Sequence, residues 1–123
     1  VFREKAPMFF THRKRAGGLL AKGYLLGLQF DVLFTDNLYS KLGKNAIKCA
    51  MILKKGLKEK NVRFFCDSPT NQQFVILNNE ELIKLDRKIG YDVWEKRENE
   101  TVIRFCTSWK STEDEIDELI SLF

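Results

Sequence analysis

The sequence predicts an α+β fold in which two leading helices precede a small, largely antiparallel four-stranded sheet that is covered by helices. Two patterns indicate it. Apolar residues in the first half recur at spacings of three and four, which is typical of helices. The second half holds four short β-branched and aromatic segments separated by turn residues. The chain has 123 residues, 44% hydrophobic and 31% charged, a balance that fits one globular domain or part of one.

The helical pattern of the first half follows a short extended segment at residues 1–6, which Pro7 ends. A first helix is predicted from about Thr11 to Phe34 and a second, amphipathic one from Leu38 to about Lys60, with Asp36 and Asn37 between them. The long apolar faces of these two helices must be buried by packing against other parts of the protein.

The second half alternates short strands with turns and two further helices. Strands are predicted at residues 62–66, 73–77, 91–96 and 101–107. Asn79 is the predicted N-cap of a short helix over residues 80–89. Thr112 and Glu115 have the spacing of a capping box at the start of the last helix. The predicted order of elements is α-α-β-β-α-β-β-α.

Several classes of protein are excluded by composition. Three separated cysteines, at 49, 66 and 106, do not form a disulfide framework and predict a reduced, cytoplasmic protein. One histidine and the absence of a CxxC pair leave no predicted metal site. In the most apolar stretch the longest uncharged run is residues 23–30, far short of the roughly 20 residues that a membrane-spanning helix requires.

Charge is distributed unevenly along the chain. Residues 1–65 carry 14 Lys or Arg against 4 Asp or Glu, whereas residues 66–123 carry 7 against 13. A basic half can bind nucleic acid, which makes a non-catalytic interaction module the alternative function. The helical spacing of the lysines from Lys41 to Lys58 favours a simpler interpretation, the solvated face of one helix. Nucleic acid is therefore not the expected partner.

Arg104 is the residue that carries most chemical information. It interrupts the apolar strand Val102–Cys106, and a guanidinium in such a strand requires a partner. Its planar fork suits a carboxylate held by two parallel hydrogen bonds. The strand alone leaves two alternatives: a ligand carboxylate, or a cross-strand pair with Glu95 or another acid.

Arg13, Lys14 and Arg15 form a basic cluster before Gly17 and Gly18, at the predicted start of the first helix. Backbone N–H groups and cations converge at such a position, so the cluster suits phosphate. The alternative is a solvated basic turn.

At these residues the sequence resembles the C-terminal region of the threonine aldolase and β-eliminating lyase family, pyridoxal-phosphate enzymes of the aspartate-aminotransferase fold. The resemblance spans nearly the whole chain. Four segments carry it: Arg13–Phe30, Lys44–Ala46 with Leu53, Thr70–Phe74, and Val102–Trp109 with the Ser111–Glu113 that follow.

The resemblance implies that the parent protein cleaves a β-hydroxy amino acid to glycine and an aldehyde. In this family the arginine of the closing strand binds the substrate α-carboxylate, and Arg104 matches that position. Lys14, with Arg13, matches a contact on the phosphate side of the cofactor. Residues 1–37 then form the end of a large domain with a connecting helix, and residues 38–123 the C-terminal small domain. A homodimer or homotetramer is the implied assembly.

The resemblance also implies what this chain lacks. The family's Schiff-base lysine falls before the matching segment, so no residue of this chain is assigned a catalytic role and the fragment alone is expected to be inactive. Many threonine aldolases have a histidine after the threonine that follows the arginine, whereas here Ser108 follows Thr107. A related lyase that acts on another substrate is therefore an alternative to a true threonine aldolase.

Overall fold

The computed structural model describes residues 7–86 and 88–123. The chain divides into two compact units, one ending at Tyr39 and the other running from Ser40 to Phe123. The extended segment predicted at residues 1–6 lies outside the described residues. The assignment of residues 1–37 to a larger domain stays a prediction.

The first unit contains two helices where the sequence predicts one. Helix α1 spans Phe9–Arg15, helix α2 spans Gly23–Phe34, and a single 3₁₀ turn at Thr35–Asn37 follows. The continuous helix expected from Thr11 is wrong because Gly17 adopts φ of 72°, a left-handed conformation that glycine reaches without strain and that ends a helix. None of the helices in the described ranges is both long and apolar enough to cross a membrane.

The second unit is built on the long helix α3, Leu38–Glu59, and one four-stranded sheet. The strands are β1 Arg63–Phe64, β2 Gln72–Asn78, β3 Asp92–Lys96 and β4 Glu100–Cys106. They pair antiparallel throughout, in the order β1-β2-β4-β3. Helix α4, Asn79–Asp86, connects β2 to β3, and helix α5, Glu113–Ser121, follows β4. The predicted α+β class with a small antiparallel sheet is confirmed.

Two helices of the second unit begin with reciprocal caps. Thr112 and Glu115 form the predicted capping box of α5. The cap of α4 lies one residue earlier than predicted: the Glu81 N–H donates to Asn78 Oδ1 over 2.9 Å and the Asn78 N–H donates to Glu81 Oε2 over 2.8 Å. Asn78 rather than Asn79 therefore takes this role, because the carboxylate three residues on can reach back only to Asn78.

The core lies between one face of the sheet and the helices. Alternate residues of the central strands β2 and β4 are fully or almost fully buried against apolar residues of α3 and α5. The buried cluster contains Cys49, Leu53, Leu57, Val75, Leu77, Leu85, Ile103, Phe105 and Ile116. Because side chains alternate along a strand, Arg104 lies on the opposite face of the sheet from Ile103 and Phe105.

Helix α3 approaches Ile120 of helix α5 closely at Gly56. A Cβ atom at this position would lie 2.9 Å from Cγ1 and 3.1 Å from Cγ2 of Ile120, closer than methyl groups pack. We expect Gly56→Ala to lower the free energy of unfolding by about 1–3 kcal/mol through overpacking, measured by urea denaturation.

Gly43 is the matched control on the same helix, because a Cβ there meets nothing within 4 Å. Gly43→Ala should raise stability by about 0.5–1 kcal/mol, the ordinary helix preference for alanine. Equal responses of the two variants would contradict the close approach at Gly56.

Candidate functional site

Arg104 lies in the middle of β4, between two neighbouring strands. Its Cα pairs with Phe74 of β2 on one side and with Asp92 of β3 on the other. The side chain projects from the face of the sheet opposite to Ile103 and Phe105, and 29% of it is exposed. The strand therefore presents a charged group near the surface on a rigid base.

The Arg104 guanidinium has two hydrogen-bonding partners. Nη2 and Nε both donate to Asp92 Oδ2, over 2.8 Å and 3.3 Å. Nη1 donates to Gln72 Oε1 over 3.2 Å. The hydrogen bond to Asp92 raises the pKa of Arg104 above its ordinary value, and the nearby Cys106 raises it further by a smaller amount. The group is therefore permanently cationic.

The cross-strand acid is thus Asp92 and not Glu95. Glu95 instead accepts a hydrogen bond from Arg97 Nε over 2.7 Å. The two alternatives considered for Arg104 are compatible, because a guanidinium has five N–H donors and the contacts to Asp92 and Gln72 use three.

An aromatic pair lies beside the guanidinium. The Trp94 ring centroid is 5.7 Å from Arg104 Cζ, within the range of a cation–π contact. Phe74 packs edge-on against Trp94 with ring centroids 5.1 Å apart. Trp94 is exposed and restricts the guanidinium from one side.

A cavity of about 580 Å³ adjoins this arginine at the edge of the sheet. Its lining includes Arg104 and Asp92 together with Tyr91, Ser111 and Glu115. It combines the cationic Arg104 with two acidic residues, Asp92 and Glu115, several hydroxyl groups and an apolar floor from the core. This composition suits a small polar molecule that carries charges of both signs.

The segment after β4 is fixed to the start of α3 by hydrogen bonds. The Thr107 hydroxyl donates to the Ala46 carbonyl over 2.7 Å. Asn71 Nδ2 donates to the Thr107 carbonyl over 2.8 Å. Asn45 Nδ2 reaches the carbonyls of Trp109 and Ser111 over 3.1 Å and 3.0 Å. These polar residues hold the end of β4, and with it Arg104, in place.

Arg13 and Lys14 lie in the first unit, in the last turn of α1. The prediction that their cluster begins a helix is wrong, since α1 ends at Arg15. Cations are favourable in this last turn because the C-terminal end of a helix carries partial negative charge. The free backbone N–H groups that bind phosphate lie at the other end of a helix. The Arg13 guanidinium contacts the Phe10 ring at 5.3 Å, and within the described ranges no carboxylate forms a salt bridge with Arg13 or Lys14. Their cofactor contact stays a prediction.

Solved structures that are similar to this chain include two enzymes. No protein-family model matches the chain, and no curated protein matches it. Leishmania major threonine aldolase is 37% identical, with a TM-score of 0.82, over 94% of this chain and 34% of that protein. The 8-amino-7-oxononanoate synthase from Francisella tularensis is 17% identical, with a TM-score of 0.59, over 94% of this chain and 36% of that protein.

The synthase shows only that the fold is shared, whereas the aldolase is similar in sequence as well. The chain spans about a third of the length of each. The structure matches a small C-terminal domain of the aspartate-aminotransferase fold, as predicted. The predicted resemblance to the threonine aldolase and β-eliminating lyase family is therefore confirmed over nearly the whole chain.

Proposed function

We propose that this chain forms the small domain of a pyridoxal-phosphate-dependent lyase that cleaves a β-hydroxy amino acid to glycine and an aldehyde. The observation that carries the proposal is the 37% identity to a threonine aldolase across 94% of the chain. The site around Arg104 supports it with independent chemistry, since a small cavity lined by a cation and by two acids suits an amino acid, which carries both charges.

In this proposal Arg104 binds the substrate α-carboxylate. Its contacts to Asp92 and Gln72 leave one N–H on each terminal nitrogen. Two N–H groups on adjacent nitrogens match the two oxygens of a carboxylate. Arg104 orients the amino acid by this grip and takes part in no bond cleavage itself.

Lys14 and Arg13 are the proposed contacts on the phosphate side of the cofactor. Their side chains are exposed at the end of α1, and two cations with no described carboxylate partner suit a phosphate dianion. Pyridoxal phosphate, when bound, supplies the electron-withdrawing ring that lets the bond to the β-carbon break. The covalently bound lysine is proposed to lie upstream of this chain.

The remaining parts of the proposal concern the whole protein. A large domain completes the active site, the protein assembles as a homodimer or homotetramer, and it functions in the cytoplasm. Ser108 stands where many threonine aldolases have a histidine, so a related β-hydroxy amino acid competes with threonine as the preferred substrate.

The alternative, a nucleic-acid-binding module, has less support from the contacts of the basic residues. Four of the lysines on α3 are paired with acids: Lys48 with Glu113, Lys54 and Lys58 with Asp67, and Lys55 with Glu59. The side-chain hydrogen bond from Lys54, its charge and that of Lys58 lower the pKa of Asp67. Part of the basic surface is thereby neutralised.

Cofactor capture and turnover test the proposal. Sodium borohydride should fix pyridoxal phosphate to one lysine of the full-length protein, which should release glycine from β-hydroxy amino acids. The isolated 123-residue chain should show neither property because none of its lysines matches the proposed Schiff-base position. Mass spectrometry of the reduced proteins and a glycine assay measure both. Stoichiometric labelling of the isolated chain, or salt-dependent RNA binding without turnover, would contradict the proposal.

A further inference from the structure

Asp92 lies at the start of the edge strand β3, opposite Arg104. One of its oxygens accepts hydrogen bonds from two nitrogens of the Arg104 guanidinium, Nη2 and Nε. The Asp92 side chain is 62% exposed, and ion pairs at such exposure contribute little to stability. The geometry of the pair thus calls for an explanation other than folding.

The effect of Asp92 is to fix the direction of the guanidinium. An arginine side chain has many rotamers, and binding a ligand to it costs the entropy of ordering it. Asp92 holds the edge formed by Nε and Nη2, Gln72 holds Nη1, and Trp94 lies at the side. The group is ordered before any ligand arrives, and one N–H on each terminal nitrogen is still available.

We propose that Asp92 is a positioning residue, which aims the two available N–H groups of Arg104 at the carboxylate of an amino-acid substrate. This inference rests on the proposed function. It predicts that loss of Asp92 weakens binding of the amino acid in the ground state and the transition state alike, since the carboxylate does not react. Such a loss raises KM and leaves kcat nearly unchanged.

The test uses the full-length enzyme with pyridoxal phosphate. Asp92→Ala should raise KM for the β-hydroxy amino acid roughly fivefold to tenfold, the cost of ordering one long side chain on binding, with kcat within about twofold. Glycine affinity measured by calorimetry should fall by the same factor. Asp92→Asn keeps an oxygen that accepts the hydrogen bonds, so it should recover most of the loss.

Glu95→Ala is the matched control, because Glu95 lies on the same strand and binds Arg97 instead of Arg104. It should leave KM and glycine affinity unchanged. The positioning role is overturned if Asp92→Ala leaves KM unchanged, if it lowers KM because Asp92 competes with the substrate, or if Asp92→Asn fails to restore affinity.

Arg104→Lys separates failure of this inference from failure of the proposed function. If Arg104→Lys raises KM while Asp92→Ala does not, Arg104 binds the carboxylate and only the role of Asp92 is wrong. If neither variant changes KM or glycine affinity, the carboxylate site itself is wrong. A fall in melting temperature of Asp92→Ala without a change in KM assigns the pair to folding and overturns the inference.

Discussion

Arg104→Ala in the full-length protein should lower kcat/KM for β-hydroxy amino acids roughly a hundredfold or more. The substitution removes the cation from the proposed carboxylate site and leaves Asp92 without its partner. Truncating one member of a hydrogen-bonded charge pair costs about 2–5 kcal/mol. Arg104→Lys keeps the charge but loses the fork, so its expected loss is smaller, roughly tenfold to a hundredfold or about 1.5–3 kcal/mol. Steady-state kinetics measure both.

Arg63→Ala is the control for this series. Like Arg104, Arg63 lies on a strand of the sheet and forms a salt bridge with a carboxylate, that of Glu100. Unlike Arg104, it does not line the cavity. Its removal should leave kcat/KM within about twofold, as for an exposed ion pair. Cofactor absorbance should persist in all variants. Near-normal turnover by Arg104→Ala with a lowered melting temperature would show that Arg104 is a structural ion-pair residue.

The isolated chain should associate with itself through helix α2. Its apolar residues are exposed on all sides within the first unit, with Phe30 64% and Phe34 65% exposed. A helix of this composition requires burial, and an exposed apolar patch of this extent is a contact surface. Sedimentation or light scattering should report species larger than a monomer, and a hydrophobic dye should bind.

Paired substitutions on α2 test which surface is responsible. Leu26→Glu with Phe30→Glu should shift the isolated chain toward the monomer and reduce dye binding, because two charges interrupt the apolar helix. Ile83→Glu places one charge on an exposed apolar side chain of α4 and should leave association unchanged. If the isolated chain without substitutions is a monodisperse monomer at high concentration and binds no dye, the prediction is contradicted.

Most of the second unit could be predicted from sequence because its local signals agree with its tertiary contacts. The strand β2 alternates buried and less buried residues along its length, and α5 starts at the predicted capping box. The break between α1 and α2 is not predicted because the helical spacing of apolar residues, which begins at Leu19, gives no sign of the turn at Gly17. The left-handed φ of that glycine is the deciding feature.

The site could be predicted only in part, because the partner of Arg104 depends on a bulge. Lys96 pairs with Thr101 and Glu95 with Val102, so an unbroken register would place Val93 opposite Arg104. The register shifts between Val93 and Glu95, which brings Asp92 to that position. A bulge of one residue reverses which side chains face each other, and sequence periodicity alone gives no sign of it here.

The hydrogen bond between Thr107 and Ala46 has a consequence for the order in which the protein is made. The two residues are separated by 61 positions, so at about 5–20 residues per second synthesis from one to the other takes roughly 3–12 s. For most of that interval, from the completion of α3 at Glu59 to the start of β4 at Glu100, the apolar side of α3 is already made, while β4 and α5, which cover it, are not. Newly made α3 is thus a segment on which chaperones are expected to act before the sheet closes.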